Sequence, residues 1–385
     1  MTGADLVALR MPNGAAFVDA LDAAWEAGDA VLPVHPKLPG PEVRRVLGEL
    51  RPSRLVEPDG VTPLADPVPV EPGTALVVPT SGTTGSPKGV ELTHDALAAS
   101  ALATIARLGL TGADRWLCCV PMSYVAGLMV LVRSRLSGVP PVIHPGFDPA
   151  EIARDHGANV VSLVPTMLRR LLRAGVDLRR FRWILLGGGS VPPGLAAEAA
   201  GAGARVVTTY GMTETCGGAV YDGVPLPGVR VAVGEDGEIS LAGPTLMAGY
   251  RLRPRETAAA LRDGWFHTSD LGELDGAGHL RVLGRRDDLI VTGGEKVVPA
   301  EVEAALLEHP MVADAAVVGR PDPEWGQAVA AAVVPTEGAA PALPELRAFV
   351  AARLAPHKAP RVLVLVPELP RGPTGKPVGL DALPW

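Results

Sequence analysis

Thr80-Ser81-Gly82-Thr83-Thr84-Gly85-Ser86-Pro87-Lys88-Gly89 follows directly on the apolar run Ala75-Leu76-Val77-Val78-Pro79. The run reads as a strand, and it feeds a loop made of glycines, hydroxyls and a lysine. Glycine lets a backbone turn tightly and bring its N–H groups close to phosphate oxygens. The hydroxyls of Thr80, Ser81, Thr83 and Thr84 add donors, and Lys88 adds a positive charge. Lys88 follows Pro87 and has no Ser or Thr after it, so this is not a Walker A loop. A flexible Ser/Thr/Gly turn is the plain alternative. It does not call for this density of donors after a strand, whereas a phosphate cradle does.

Outward from this loop, helical and strand periods alternate. Upstream, Phe17, Leu21 and Trp25 recur every four residues and stop at Gly28, an amphipathic helix with a glycine end. Ala30–Val34 reads as a strand, Val43, Val46, Leu47 and Leu50 as a second helix, and Arg54-Leu55-Val56 as a strand. Downstream, Trp116–Pro121, Val160–Val164, Trp183–Leu186 and Val206–Thr209 continue the series. Alternation of this kind predicts an α/β fold with mostly parallel sheets and helices on their faces. After Tyr221 the pattern changes to short strands (Val229–Val233, Glu238–Leu241, His279–Leu283) between Gly, Asp and Pro turns, a small antiparallel β region. From Gly284 a helix at Ala300–Glu308, strands at Asp314–Gly319 and Ala328–Val334, a helix at Leu343–Leu354 and a strand at Arg361–Val366 predict a small α+β unit. The expected division is a large domain, residues 1–283, and a small mobile one, residues 284–385.

Composition narrows the class. Hydrophobic residues make up 47% of the 385 but nowhere gather into the ~20-residue run a membrane span needs. Met1-Thr2-Gly3-Ala4-Asp5 has neither a basic leader nor an apolar core, so a soluble cytoplasmic protein is expected. A net charge of −7 argues against nucleic acid as a partner. Cys118, Cys119 and Cys216 are expected as buried free thiols, and no Cys/His spacing resembles a zinc site. Whether the chain is a monomer or a homodimer is left open.

Four further segments carry chemistry-bearing residues. Thr209-Tyr210-Gly211-Met212-Thr213-Glu214 stands at the end of a predicted strand, where open α/β sheets place ligands. Gly187-Gly188-Gly189-Ser190 ends another. Trp265-Phe266-His267-Thr268-Ser269-Asp270 presents a carboxylate, and Gly284-Arg285-Arg286-Asp287-Asp288 follows it. Near the C-terminus comes Pro370-Arg371-Gly372-Pro373-Thr374-Gly375-Lys376. Taken singly, each has a bland reading as a cap, turn or solvated charge.

Together and in this order, these segments resemble the superfamily of acyl-CoA synthetases, peptide-synthetase adenylation domains and luciferases, over essentially Ala75–Lys376. The resemblance implies ATP-dependent activation of a carboxylic acid as an acyl-AMP, then transfer to coenzyme A. It implies that Thr80, Ser81, Gly82, Thr83, Thr84, Gly85 and Lys88 wrap the ATP phosphates. Tyr210 and Gly211 then hold adenine together with Gly188 and Gly189, Thr213 bonds the α-phosphate, and Glu214 binds Mg²⁺. Asp270 and Arg285 take the ribose, Asp287 is the hinge, Gly293 and Gly294 line the pantetheine tunnel, and Lys376 is the catalytic lysine of adenylation.

Within the superfamily, a chain short at its N-terminus, with Val161–Leu168, Leu185–Pro192 and Val207–Tyr210 through Gly223–Leu226 as they stand, resembles the o-succinylbenzoate–CoA ligases. That resemblance implies 2-succinylbenzoate as the acid and menaquinone biosynthesis as the setting. Another aryl- or fatty-acid CoA ligase, or an adenylating enzyme that passes the acyl group to a carrier protein or an amine, is the alternative. Ser123-Tyr124 stands where many members carry a His-containing pair. Tyr124 is therefore expected as a substitute wall of the acyl pocket, with Gly187 and Gly188. Arg133 is the expected partner of the acid's spare carboxylate, against a reading as a helix-surface arginine.

Overall fold

A computed structural model of the chain describes residues 3–81, 87–192, 194–371 and 378–385, with Ser81 described by its backbone alone. The expected class holds, as four sheets. In the first, Leu6–Leu9, Ala30–Pro33, Arg54–Glu57 and Thr74–Ser81 run parallel, and short antiparallel strands close both edges. In the second, Val142–Ile143, Trp116–Cys118, Val160–Leu163, Trp183–Leu186 and Val206–Met212 are all parallel, with Gly217–Tyr221 and Val224–Pro225 antiparallel at one edge. Helices cover these sheets as the sequence periods require. Phe17 and Leu21 of helix Ala15–Glu26 are fully buried, and Val43, Val46 and Leu50 of helix Gly40–Leu50 are buried.

Period-2 alternation appears at Trp116-Leu117-Cys118-Cys119. Trp116 and Cys118 join the core on one face of the second sheet, and Leu117 and Cys119 join the core on the other. All three cysteines are buried and unbonded, and burial pushes the Cys119 and Cys216 thiols up to about 12. They are packing residues rather than nucleophiles.

Two strands run on past their expected ends in ways that bear on the site. The strand expected to stop at Pro79 continues to Ser81. Thr74–Ser81 pairs antiparallel with Pro87–Thr93, Thr80 opposite Lys88 and Ser81 opposite Pro87, so the two strands form a hairpin. The second difference is the strand expected to stop at Thr209, which runs on to Met212 by pairing with Gly217–Tyr221, with a register shift between Tyr210 and Gly211.

The third sheet is antiparallel throughout: Arg230–Val233, Glu238–Ala242, Trp265–Leu274, Leu261–Arg262 and Leu280–Arg285. Its last strand continues through Gly284 to Arg285. A 3₁₀ turn, Arg286–Asp288, follows, and Ile290 opens the fourth sheet. That sheet joins Glu295–Val297, Ile290–Thr292, Gly326–Pro335 and Val312–Asp322, with Val362–Leu365 parallel to Gly326–Pro335. Helices Pro299–Leu307 and Leu343–Ala351 bury Val302, Leu306, Leu346 and Val350 against Val317, Val329, Ala331 and Val333. Among the described residues no helix is long and apolar enough to cross a membrane.

A half-buried acid borders this last core. Glu303 accepts the Val317 N–H at 2.8 Å, and burial, aided by the Asp314 charge, pushes its carboxyl up to about 7. An unfolded glutamate ionises near the ordinary carboxylate range. Between those values the folded chain keeps a proton that the unfolded chain releases, so stability declines as pH rises through about 7. Glu303→Gln is expected to flatten this decline when denaturant unfolding is followed from about pH 5 to pH 8. A decline of unchanged slope in the variant places the titration elsewhere.

Candidate active site

Three sheets meet at one cleft, and each contributes side chains to it. From the second sheet come Tyr210, inside strand Val206–Met212, and Glu214, in the 3₁₀ turn Thr213–Thr215. This turn is tied down by the Met212 N–H donating to Thr215 Oγ1 at 3.0 Å. Thr213 is thus the first residue of a 3₁₀ turn, not the cap of an α-helix. The Glu214 carboxylate accepts the Tyr250 hydroxyl at 2.9 Å. Burial raises the Glu214 pKa, against the opposing pull of that hydrogen bond and of Arg285 and Lys88. Lys88 Nζ lies 5.0 Å from the Tyr250 ring centroid, a cation–π contact that brings the end of the hairpin to the metal-binding candidate.

Tyr250 was not among the residues the sequence singled out. It belongs to a two-residue strand, Gly249–Tyr250, paired with Pro87–Thr93, too short to show any period. Buried Arg251 anchors that strand: its Nε donates to Leu50 O at 2.6 Å and its Nη1 to Pro69 O at 3.3 Å.

The third sheet supplies Asp270 and Arg285, opposite each other across neighbouring strands. Tyr210 Oη donates to Asp270 Oδ2 at 2.9 Å, and Arg285 Nε lies 3.3 Å from Asp270 Oδ1. Burial, and then the Asp270 charge, push the Tyr210 phenol well above its ordinary range, so it stays a donor. A carboxylate flanked by a phenol and a guanidinium is suited to the paired hydroxyls of a ribose. Among the described residues no group of three His, Cys, Asp or Glu side chains could hold a metal. Mg²⁺ held by a single carboxylate usually completes its shell with nucleotide oxygens and water.

The glycine turn after Trp183–Leu186 borders the same cleft. A side chain at Gly187 would start 2.1 Å from Thr209 Oγ1, so the turn can press against Val206–Met212 only as glycine. Gly188 has φ +76°, and Gly189 faces open space. Thr80 Oγ1 donates to Lys88 O at 3.4 Å, bridging the hairpin strands. Gly82, Thr83, Thr84, Gly85 and Lys376, and the Ser81 side chain, lie outside the described residues.

Tyr124 caps helix Val125–Ser137, half-buried, its ring 5.6 Å from that of His35. Ser123 beside it is buried, and its hydroxyl has no hydrogen-bond partner among the described residues. Arg133 is not on the helix surface. It is 3% exposed, its guanidinium 5.1 Å from the Trp116 ring centroid, and its Nε has no partner among the described residues. Asp287 is exposed in the turn Arg286–Asp288, and Gly293 and Gly294 form the turn between Ile290–Thr292 and Glu295–Val297.

The sequence matches the AMP-binding enzyme family over residues 57–251 and the AMP-binding enzyme C-terminal domain over residues 301–376. The chain belongs to the AMP-binding enzyme family. It is 45% identical to a probable 2-succinylbenzoate–CoA ligase of Mycobacterium tuberculosis, over 87% of this chain and 92% of that one. It is also similar to o-succinylbenzoate CoA synthetase from Bacillus subtilis in complex with the acyl-adenylate intermediate OSB-AMP. There the TM-score is 0.87 at 32% identity, over 98% of this chain and 87% of that one. The same Bacillus subtilis enzyme in complex with ATP and magnesium ion gives a TM-score of 0.84 at 31% identity, over 98% and 88% of the two chains.

The Glu214–Tyr250 bond can be tested without any substrate. A hydrogen bond donated to a carboxylate favours its charged form. Tyr250→Phe is therefore expected to raise the Glu214 pKa above its already raised value, followed by carbon NMR of labelled glutamate. A fall, or no change, shows that the hydroxyl does not hold this carboxylate in solution.

Proposed function

We propose that this chain is an acid–thiol ligase that uses ATP and Mg²⁺ to activate 2-succinylbenzoate as its acyl-AMP and then transfers the acyl group to coenzyme A. What carries the reading is the cleft itself: Glu214, Tyr210, Asp270, Arg285 and Lys88 converge in a chain 45% identical to a probable 2-succinylbenzoate–CoA ligase.

In the first half-reaction a carboxylate oxygen of the acid attacks the α-phosphorus of ATP, and the bond to pyrophosphate breaks. Two anions approach each other, so the protein's task is positioning and charge stabilisation. Asp270 and Arg285 fix the ribose, with Tyr210 against the base. Thr213 donates to the α-phosphate, and Lys88 with the Thr80–Gly85 segment holds the departing phosphates. Bound at Glu214, Mg²⁺ would neutralise phosphate charge. In the second half-reaction the thiol sulfur of coenzyme A attacks the acyl carbon, loses its proton, and AMP leaves. The assigned bodies are residues 1–283 and 284–385. Rotation at Asp287 exchanges Lys376 for the Gly293-Gly294 strip between the two steps.

The assignment of Lys376 rests on the family resemblance. Lys376→Ala is expected to slow acyl-AMP formation on the order of 10²-fold or more while leaving thioester formation from supplied acyl-AMP intact. Equal loss in both half-reactions, with the fold retained, removes Lys376 from adenylation. Pyrophosphate release with no thioester on added coenzyme A redirects the acyl group to a carrier protein or an amine.

For the acid, Arg133 supports a dicarboxylate. A buried guanidinium with no acidic partner among the described residues is costly, and a ligand carboxylate would relieve that cost. It sits one helical turn beyond Met129, whose Cγ lies 3.8 Å from where a side chain at Gly217 would start. Arg133 and Met129 thus share a helix face, with Met129 against Gly217 of strand Gly217–Tyr221, the neighbour of the strand that bears Tyr210. Arg133→Leu is expected to lower kcat/KM for 2-succinylbenzoate at least about tenfold and to leave the ATP KM unchanged. A monocarboxylate analogue should suffer much less. Equal effects on both acids exclude Arg133 as the partner of the spare carboxylate.

A further inference from the structure

The carboxyl ends of strands are where open α/β sheets gather ligands. In this chain those ends of the first two sheets come together, and two side chains that the sequence did not single out join them. On the first sheet, Asn13 follows strand Leu6–Leu9 and His35 follows the parallel strand Ala30–Pro33. Ala30–Pro33 also pairs with Thr74–Ser81, the strand that bears Thr80. On the second sheet, the loop of residues 120–124 follows strand Trp116–Cys118, and His144 follows the neighbouring Val142–Ile143.

The whole amide of Asn13 is engaged across this seam. Its Nδ2 donates to Val120 O at 2.9 Å and to His144 O at 3.3 Å, and its Oδ1 accepts the Met122 N–H at 2.8 Å. Val120 and Met122 are buried, and backbone groups withdrawn from water need such partners. One side chain of the first sheet therefore fixes the loop of the second on both sides of Pro121. The loop closes on itself beyond that point, the Tyr124 N–H donating to Pro121 O at 3.2 Å.

A second contact holds the loop's end. The centroid of the His35 ring lies 5.6 Å from that of Tyr124, the rings inclined at 37°. His35 Nδ1 accepts the Lys37 N–H at 3.2 Å, which orients the imidazole and leaves its ring proton on Nε2. Burial, and then the Lys37 charge, lower the His35 pKa, so the ring meets Tyr124 uncharged near neutral pH. Between the two fixed points stands Ser123, whose buried hydroxyl has no partner among the described residues. A polar group of a ligand would complete that hydroxyl, as burial requires.

We infer that Asn13 and His35 are positioning residues for the acid: from the first sheet they fix the 120–124 loop of the second, and with it the Tyr124 ring and the Ser123 hydroxyl. The inference rests on the acid-activating reading proposed above, with Tyr124 as a wall of the acyl pocket. It assigns neither residue a contact with the reacting atoms. Acid selectivity is then set through the same sheet that carries the phosphate hairpin.

The test separates acid from nucleotide. Pyrophosphate release is followed in the parent, Asn13→Ala, His35→Ala and His35→Phe, with KM measured for 2-succinylbenzoate and for ATP. Each alanine variant is expected to lower kcat/KM for the acid about tenfold, since a displacement of ~1 Å far from the chemistry can cost up to ~100-fold. The ATP KM should stay within about twofold. His35→Phe keeps a ring against Tyr124 and should recover most of the loss. In a double-mutant cycle, His35→Ala added to Tyr124→Ala should cost less than about twofold more, because its effect passes through a ring already removed. Where Asn13→Ala does not fold, Asn13→Asp, which keeps the acceptor for the Met122 N–H, takes its place with the same expected split. Equal losses for acid and ATP, full additivity with Tyr124→Ala, or no loss in the variants overturns the positioning role. A parent that releases no pyrophosphate with 2-succinylbenzoate overturns the acid reading and this inference with it, an outcome distinct from any change among the variants.

Discussion

Carboxylates withdrawn from water between sheets must find donors, and that need organises the cleft. Glu214 and Asp270 would each be costly if buried alone. Each is instead met by a tyrosine from a different sheet: Tyr250 of the first reaches Glu214 of the second, and Tyr210 of the second reaches Asp270 of the third. These two bonds join three separately formed sheets around one space. A phenol suits the role because it donates to a carboxylate without adding charge. Both tyrosines are pushed above their ordinary range by burial and by the acid each one meets, so both remain donors.

The charges in the cleft come close to cancelling. Glu214 and Asp270 face Lys88 and Arg285. An incoming nucleoside triphosphate brings several negative charges to a site with little net positive charge of its own. That imbalance is the physical argument for a divalent cation arriving with the nucleotide and resting on Glu214, where a lone carboxylate completes a shell made mostly of phosphate oxygens and water.

Much of this was legible in the sequence, because the fold obeys local rules where its elements are long. Phe17, Leu21 and Trp25 declared a helix, and the parallel strands of the second sheet stood out as short apolar runs between turns. The segments bearing Tyr210, Glu214, Asp270 and Arg285 could be singled out one by one. Their convergence depends on pairings between residues far apart in the chain, which no local pattern encodes. Tyr250 shows the limit most clearly: two residues of strand held by a buried arginine that reaches back to Leu50 and Pro69 leave no periodic trace. Arg133 shows the opposite failure. Its helix is apolar almost throughout, so period alone could not say whether the charge pointed outward, and it is buried against Trp116.

The fourth sheet carries a paired or stacked arginine beyond each end of one strand. Arg361 enters Val362–Leu365 and stacks on Trp325 beside the glycine turn Gly293-Gly294, while Arg371 follows the strand's far end and pairs with Asp314 at 2.5 Å. Four residues of strand span about 13 Å. Arg371 directly precedes the segment that bears Lys376, so its ion pair with Asp314 fixes where that segment leaves the sheet. Groups at opposite ends of a rigid strand cannot both serve one cleft from a single position. On the proposed reading, adenylation would need the Arg371 end turned inward, and thioester formation would need the glycine turn. The turn Arg286–Asp288 is a short connection between the third sheet and the fourth, since Leu280–Arg285 ends the one and Ile290 begins the other. On the proposed reading, a rotation at this turn would exchange the two ends while each core keeps its own packing, because the two cores share no residue.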